Sequence, residues 1–187
     1  PFFVTEPTPS ANGVVFDEPH AIGGFQLVDQ DHGPFAIENL RGAWSFIYFG
    51  FTRCSELCPK TLAELQRLSD KLPGRDPKDS MPVKFVFVSV DPEWDTPSQL
   101  KTFLQNLTPG MIGLTGNLDE LRKLAAQVAA PFTVNRDAGS EFTIDHSNSI
   151  FLINPDAEFQ AILTPPHEAG QLAADFRAIA NWRRSSH

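Results

Sequence analysis

Cys54 and Cys58 are the only two cysteines of this 187-residue chain, and three residues separate them. Thiols this close together can form a structural disulfide, act as a redox pair or bind a metal ion. The structural disulfide is the least favoured option, because closing so small a ring restricts the unfolded chain by only about 2 kcal/mol. With 41% hydrophobic residues, a chain of this length buries a core without such a crosslink. The pair is therefore expected to carry out chemistry.

The cysteines lie between two segments of different pattern. Residues 44–50, WSFIYFG, form a continuous apolar run that is typical of a strand covered on both faces. After the cysteines, Leu62, Leu65, Leu68 and Leu72 recur at helical spacing. Thiols at the start of that helix would meet unpaired N–H groups and the positive end of the helix dipole. Both favour the thiolate, which is the form that attacks disulfides and binds soft metals.

The spacing of Cys54 and Cys58 favours a metal over a disulfide. Thioredoxin-like redox enzymes have two residues between their cysteines, whereas this pair has three. Positions i and i+4 of a helix hold their Cβ atoms about 5–6 Å apart, and a disulfide prefers about 3.5–4.5 Å. Two sulfurs that each lie about 2.3 Å from a shared metal accommodate the wider spacing. A disulfide stays an alternative, because the first turn of a helix can deform.

A third ligand is expected at His146. It lies in IDHSNSIFLI, in the loop before the strand of the final hairpin. In a thioredoxin-like fold this loop faces the cysteine loop, and redox enzymes place a cis-proline there, where this chain has His-Ser. Two thiolates and one imidazole suit copper, because Cu(I) prefers thiolate and imidazole suits Cu(II). The remaining histidines are predicted to be solvated: His20, His32, His167 and His187.

Asp91 is a candidate for a supporting role. It follows the second central strand, in SVDPEWDTP, at the end of the sheet where the cysteine loop is expected. Its carboxylate could bind the cysteine loop or orient a ligand. An Asp before Pro at a strand end is equally typical of turns, and the sequence does not decide between these interpretations.

The order of elements predicts an α/β protein of thioredoxin-like fold, with a central mixed sheet flanked by helices. A hairpin turning at residues 31–33 precedes three strand–helix units, and a hairpin turning at 155–157 and a last helix follow them. The first hairpin is predicted to be an N-terminal extension of this fold. Residues 1–20 are predicted to be an extended arm or linker, and residues 21–187 a single copper-binding domain.

Charge and hydropathy limit the classes of partner. The formal net charge is −8, and no basic cluster that could bind phosphates is present, so nucleic acid is not expected as a partner. No apolar run approaches the roughly 20 residues that span a bilayer. The chain opens PFFVTEPTPSANG, without an initiator Met. We therefore expect a processed or trimmed chain, from which an upstream signal or membrane anchor could have been lost.

Taken together, these motifs resemble the Sco/SenC family of copper-binding thioredoxin-like proteins. The resemblance runs from about Gly23 to Trp182 and rests on LVDQD, YFGFTRCSELCPKTLAEL, FVSVDPEWDTP and IDHSNSIFLINPDAE. It implies that the two cysteines and the histidine bind copper, as Cu(I) or Cu(II). It also implies a membrane-tethered domain in the bacterial periplasm or, alternatively, the mitochondrial intermembrane space. One departure is that Ser55 and Glu56 stand where the family usually has Pro and Asp.

The function that follows is a copper metallochaperone rather than an enzyme. The resemblance implies delivery to the binuclear copper centre of cytochrome c oxidase, so the expected partner is the copper-site domain of subunit II or another copper protein. A thiol–disulfide oxidoreductase is the first alternative: Cys54 and Cys58 would be catalytic, with a thioredoxin-like protein as reductant. A copper- or redox-responsive signalling protein is the second.

Overall fold

The apolar run Trp44–Gly50 forms a central strand of the main sheet, as its composition predicts. Phe46 and Tyr48 pack into the core on one face of the sheet, and Ile47 and Phe49 pack into the core on the other. This division follows from the alternation of side chains along a strand. Every residue of the strand is buried, because layers of the protein cover both faces of the sheet.

The computed structural model describes residues 7–72, 81–135 and 143–186. Its strands are β1 (Gly13–Ala21), β2 (Gln26–Asp29), β3 (Pro34–Ala36), β4 (Trp44–Gly50), β5 (Val83–Ser89), β6 (Ile112–Thr115), β7 (Thr133–Asn135), β8 (Thr143–Asp145), β9 (Ile150–Ile153) and β10 (Glu158–Leu163). Its helices are α1 (Leu57–Lys71), α2 (Pro97–Leu107), α3 (Leu118–Gln127) and α4 (Ala169–Ser186), with a short 3₁₀ helix at Ile37–Leu40. The main sheet has the order β1-β10-β9-β4-β5-β6-β2-β3, and β7 pairs with β8 separately.

Helices α1, α2 and α4 pack on one face of the main sheet, and α3 packs on the other. The leucine stripe of α1 is the reason for its position: Leu62, Leu65 and Leu68 are fully buried against the sheet. Leu72, the fourth leucine of the pattern, is also buried and caps the end of the helix. The periodicity of the sequence therefore predicts both this helix and the face that it buries.

The N-terminal part of the chain contributes to both edges of the sheet. The predicted hairpin is formed by β2 and β3, and β2 extends the sheet by pairing with β6. Strand β1, which the sequence analysis placed mostly in the arm, pairs with β10 at the opposite edge. Residues 1–6 lie outside the described residues, and the division at residue 20 stays a prediction. None of the helices in the described part of the chain is both long and apolar enough to cross a bilayer.

The strand pairings bring three loops together at one end of the sheet. Strands β4 and β5 run parallel, and Gly50 pairs with Ser89, so the loops that follow these strands start side by side. Strand β9 runs antiparallel to β4, and Ile150 pairs with Tyr48, so the loop that precedes β9 reaches the same end. The segments carrying the cysteines, Asp91 and His146 therefore meet there.

Candidate metal centre

The cysteine loop, residues 51–56, joins β4 to α1 and carries Cys54. Helix α1 begins at Leu57, so Cys58 lies in its first turn and Cys54 lies before it. The backbone N–H of Cys58 donates a hydrogen bond to the Sγ of Cys54 at 3.4 Å. This bond satisfies one of the N–H groups that a helix start leaves without a partner. The two thiols thus meet across the junction of loop and helix, and not along a helix as the spacing argument assumed.

The two thiols differ in burial. Cys58 is fully buried, whereas Cys54 is only half-buried. Burial raises the pKa of Cys58 to about 12, and a backbone hydrogen bond from Phe51 offsets this only in part. Desolvation therefore outweighs the helix start, and the prediction that position alone makes this thiol a thiolate is wrong for Cys58. Without a metal, Cys58 is a protonated thiol at neutral pH, and Cys54 is the sulfur that solvent reaches.

His146 lies in the loop before β9 and presents one nitrogen to Cys58. Its Nδ1 lies 2.9 Å from the carbonyl oxygen of Ser147. Because a carbonyl can only accept, Nδ1 carries the proton and Nε2 keeps its lone pair. Nε2 lies 3.9 Å from the Sγ of Cys58. Burial lowers the pKa of His146, so the imidazole is neutral at pH 7 and needs no deprotonation to bind a metal.

The ligand atoms of Cys54, Cys58 and His146 all lie within 4.8 Å of one another. Two sulfurs that share a metal at about 2.3 Å can be no more than about 4.6 Å apart, and a sulfur and a nitrogen no more than about 4.4 Å. The arrangement is thus within a few tenths of an ångström of the span that one ion bridges. Two sulfurs and one imidazole nitrogen form a donor set that fits copper better than magnesium or calcium, which prefer oxygen ligands.

Asp91 contacts the cysteine loop and also takes part in a turn. Its side chain is fully buried and forms a 2.5 Å ion pair with Arg53, the residue before Cys54. The guanidinium of Arg53 also stacks on Trp94, 4.7 Å from the ring centre. In addition, the backbone carbonyl of Asp91 accepts hydrogen bonds from Trp94 and Asp95, as in a turn. Asp91 therefore connects the loop after β5 to the cysteine loop through Arg53.

Asp95 also binds the cysteine loop, and the sequence analysis did not identify it. Its carboxylate is fully buried. It accepts hydrogen bonds from the N–H of Thr52 at 3.1 Å, from the Thr52 hydroxyl, and from the Ser89 hydroxyl at 2.6 Å. These bonds hold the start of the cysteine loop against the end of β5. The sequence signal for it was present, since Asp95 is the second Asp of DPEWDTP.

Replacing Asp95 should destabilise the fold in a way that depends on the replacement. Asp95→Ala leaves three donors without their acceptor, the buried hydroxyl of Ser89 and two part-buried groups of Thr52. We expect this to cost about 3 kcal/mol of unfolding free energy. Asp95→Asn should cost less, because a rotated amide can still accept from the N–H of Thr52 and from Ser89. Urea titrations of the two variants and the wild type measure these differences.

The pH dependence of stability gives a second measurement on the same variants. Burial raises the pKa of Asp95 above its ordinary value of 3.8, so the native state keeps a proton that the unfolded chain has lost. The contribution of Asp95 to stability is therefore largest at low pH. It declines as the pH rises from the ordinary pKa of 3.8 through the raised pKa of the native state. Asp95→Asn should remove this decline. If the unfolding free energy of Asp95→Asn changed with pH in parallel with that of the wild type, the decline could not come from Asp95.

A second group of residues fixes the loop of His146 and was also missed. Asn148, two residues after His146, accepts hydrogen bonds from Tyr48 and Thr61 through its side chain. Its backbone carbonyl accepts a hydrogen bond from His167. The prediction that His167 is solvated is therefore wrong: the ring is half-buried, and burial lowers its pKa. Asn148 has no distinguishing pattern in the sequence.

Two of the other histidines match the prediction that they are solvated. His20 lies in β1 and His32 in the turn between β2 and β3, and both are exposed. His187 lies outside the described residues. Of the histidines in the part of the chain that the structure describes, His146 is the one that joins Cys54 and Cys58 in a group able to hold a metal.

Comparison with known proteins places the chain among copper-related sequences. The family model SCO1/SenC matches residues 16–181. A protein of Stutzerimonas stutzeri whose name refers to copper binding is 36% identical, over 83% of this chain and 75% of the relative. The chain spans less than half of some mitochondrial relatives: it covers 46% of protein SCO2 of Saccharomyces cerevisiae, with 38% identity over 74% of this chain.

Solved structures agree with the predicted fold class. The crystal structure of Arabidopsis thaliana ScoI with copper bound has a TM-score of 0.75 and 31% identity, covering 85% of this chain and 98% of the other. The structure of BsSco, described as a Sco-family cytochrome c oxidase assembly protein with a disulfide switch, has a TM-score of 0.68 and 25% identity, covering 89% and 97%. The thioredoxin-like α/β fold with a mixed central sheet is thereby confirmed.

Proposed function

We propose, from the premise that this chain belongs to the SCO1/SenC family, that it is a copper-binding metallochaperone. Cys54, Cys58 and His146 would hold one copper ion, and a copper-site domain such as that of cytochrome c oxidase would receive it. The observation that carries the proposal is the convergence of two sulfurs and one neutral imidazole nitrogen within 4.8 Å. The copper-bound relative of the same fold supports the choice of metal.

Loading requires a different step at each ligand. Copper binds thiolates, so the metal must displace the proton that burial keeps on Cys58. The hydrogen bond from His146 to Ser147 leaves Nε2 free to bind without losing a proton. Cys54 is the more exposed sulfur, and it is the ligand at which an incoming ion first makes contact.

Release of the ion would also begin at Cys54. A ligand of the docked partner exchanges first with Cys54, because the sulfur of Cys54 is accessible, while the buried Cys58 holds the ion until the transfer is complete. Two exposed apolar side chains lie close in sequence to the site loops, Leu57 at the start of α1 and Trp94 after β5. Exposed apolar side chains near a site are suited to transient contact with a partner protein.

The location of the protein is part of the same proposal. We place it in the bacterial periplasm as a membrane-tethered protein, with the mitochondrial intermembrane space as the alternative. A similar solved structure, that of a SCO1/SenC family lipoprotein from Bacillus anthracis, supports a membrane-tethered bacterial protein, and the mitochondrial relatives support the alternative. The oxidase as recipient is supported by the description of BsSco as an oxidase assembly protein.

A thiol–disulfide oxidoreductase is the second candidate, and the unequal burial of the thiols favours it. Cys54 could attack a disulfide of a partner, and Cys58 would then attack the mixed disulfide from the protected side. The products are two thiols on the partner and a Cys54–Cys58 disulfide, which a thioredoxin-like protein would have to reduce again. His146 has no necessary part in this reaction, which makes it the residue that separates the two functions.

His146→Ala is therefore the test of the proposed function. The reduced protein receives one equivalent of Cu(II) without oxygen, and absorption and EPR spectra are recorded. We expect intense thiolate-to-copper bands in the wild type and weaker or shifted bands in His146→Ala. Loss of a residue that only orients a metal ligand lowers metal affinity by roughly 10-fold or more. Because His146 is proposed to bind the ion directly, its loss should lower the copper affinity by at least that much. His20→Ala, which removes an exposed imidazole from β1, is the matched control and should behave like the wild type.

A different outcome would favour the second candidate. If the bands bleach rapidly, with release of Cu(I) and formation of a disulfide, and do so equally in the wild type and His146→Ala, the cysteines act mainly as a redox pair. A His146→Ala protein with the copper spectrum of the wild type would show that this histidine is not a ligand.

A further inference from the structure

Asn148 connects the loop of His146 to the two elements that hold Cys58. Its Oδ1 accepts a hydrogen bond from the hydroxyl of Tyr48 at 2.8 Å and from the hydroxyl of Thr61 at 3.1 Å. Tyr48 belongs to β4, and Thr61 belongs to α1. Both donors are buried, Tyr48 fully and Thr61 to within 3% of its surface. One oxygen atom thus attaches this loop to both the strand and the helix.

The two donors lie next to Cys58. The hydroxyl oxygen of Tyr48 is 3.7 Å from the Sγ of Cys58. Thr61 follows Cys58 by three residues on α1, so both side chains lie on the same face of the helix. The phenol has a single proton, and the 2.8 Å contact to Asn148 takes it in preference to the longer contact with sulfur. The groups that hold Asn148 are therefore the groups that surround Cys58.

A third bond fixes the backbone of the same loop. The Nε2–H of His167 donates to the carbonyl oxygen of Asn148 at 2.6 Å. The Nδ1 of His167 is buried and has no hydrogen-bond partner among the described residues. His167 precedes α4, so the loop is attached to a third element as well. Together with the side-chain bonds, this contact restrains Asn148 from three directions. Asn148 directly follows Ser147, the residue that orients the ring of His146.

We propose that Asn148 is a positioning residue for the metal centre: it sets the distance between the Nε2 of His146 and the Sγ of Cys58. The inference rests on the proposed function, because the distance matters only if both atoms bind one ion. Without the amide, the loop before β9 would keep its attachment through β9 itself. The loop would lose the two side-chain hydrogen bonds that attach it to β4 and α1. The imidazole of His146 would then no longer be held 3.9 Å from the sulfur of Cys58.

The test compares Asn148→Ala and Thr61→Val with Asn148→Asp. The first two remove bonds at Oδ1, whereas Asp keeps an oxygen that can accept from both hydroxyls. The first measurement uses the reduced protein without metal. NMR of the His146 ring reports its tautomer, its chemical shifts and its proximity to the Cβ protons of Cys58. We expect these signals to change in Asn148→Ala, to change less in Thr61→Val, and to stay close to the wild type in Asn148→Asp.

The second measurement adds copper under the conditions described above. Asn148→Ala should bind copper about 10-fold more weakly, at the lower end of the cost of losing a residue that orients a ligand, and with shifted thiolate-to-copper bands. Asn148→Asp should keep the position of the bands. Ile153→Val, a buried change at the other end of β9, serves as a control for a modest loss of stability and should leave the spectrum unchanged.

The outcomes separate the two proposals. An Asn148→Ala protein that is less stable but has the His146 signals and copper spectrum of the wild type would overturn the positioning role. Asn148→Asp spectra that resemble those of Asn148→Ala would overturn it too. If the wild type itself shows no thiolate-to-copper bands, the copper function fails, and the metal-free NMR comparison still decides whether Asn148 positions His146.

Discussion

Cys58→Ser is expected to lower the affinity for Cu(I) by about 100-fold or more. Four ligands hold a structural zinc ion with about 10–16 kcal/mol, so a single ligand accounts for about 3 kcal/mol, which is about a hundredfold in affinity. Serine replaces a polarisable sulfur with a hydroxyl that stays protonated at neutral pH, and Cu(I) prefers soft ligands. Competition with a chromophoric Cu(I) chelator, without oxygen, measures the change.

Two further variants make this result specific. Cys54→Ser should lose affinity to a similar extent, because the proposed site needs both sulfurs. Ser55→Ala, an exposed change between the two cysteines, should leave the affinity unchanged. The unfolding free energy of each variant is measured as well, because Cys58 is part of the buried core. If the folded Cys58→Ser protein bound Cu(I) as tightly as the wild type, Cys58 could not be a ligand.

The parts of the fold that the sequence predicts are those that depend on local pattern. Trp44–Gly50 is apolar throughout, and it forms a strand buried on both faces. The leucines of α1 recur at helical spacing, and their side chains face the sheet. His146 could be selected as a candidate ligand because the order of the elements predicts that its loop lies beside the end of β4. The antiparallel pairing of Tyr48 with Ile150 places the loop there.

The protonation of Cys58 could not be predicted in the same way. The sequence shows a cysteine near a helix start, where the dipole favours the thiolate. The opposing effect comes from burial, which depends on side chains that the fold brings in from other elements. Tyr48 contacts the sulfur from β4, and the absence of a side chain at Gly50 leaves the space that the sulfur occupies. Neither neighbour can be identified from the cysteine motif alone.

The residues that support the site were missed because their partners are distant in sequence. Asp95 lies 43 residues from Thr52, and Asn148 lies 100 residues from Tyr48. An Asp after a strand or an Asn in a loop is typical of turns, so the residue type alone does not indicate a long-range bond. For the same reason His167, which follows two prolines, was interpreted as a solvated loop residue although it binds the carbonyl of Asn148.

Gly50→Ala is the second change for which we expect a large effect. A Cβ atom at Gly50 would lie 2.9 Å from the Sγ of Cys58 and 2.8 Å from a ring carbon of Phe87. Cβ contacts this short are essentially never observed, so at least one neighbour must move. Both neighbours are fully buried, and overpacking of a core costs about 1–3 kcal/mol. We therefore expect the unfolding free energy to fall by this amount.

The same methyl group should also weaken the proposed metal site. Phe87 packs against Tyr48 and Phe103 and is thus confined by the core, whereas Cys58 lies in the first turn of α1, where a helix deforms more easily. The sulfur is therefore the atom that should shift, and it should shift away from the position facing His146. We expect Cu(I) affinity to fall by roughly 10- to 100-fold, the cost of disturbing the residues that orient metal ligands.

Gly24→Ala is the matched control, because a Cβ atom there meets no atom within 4 Å. It should change neither the unfolding free energy nor the Cu(I) affinity by much. A Gly50→Ala protein that loses stability but keeps its affinity would show that Phe87 moves and the sulfur does not. A protein that loses affinity beyond the loss in Gly24→Ala would show that the empty space at Gly50 is what allows a buried cysteine to reach the metal.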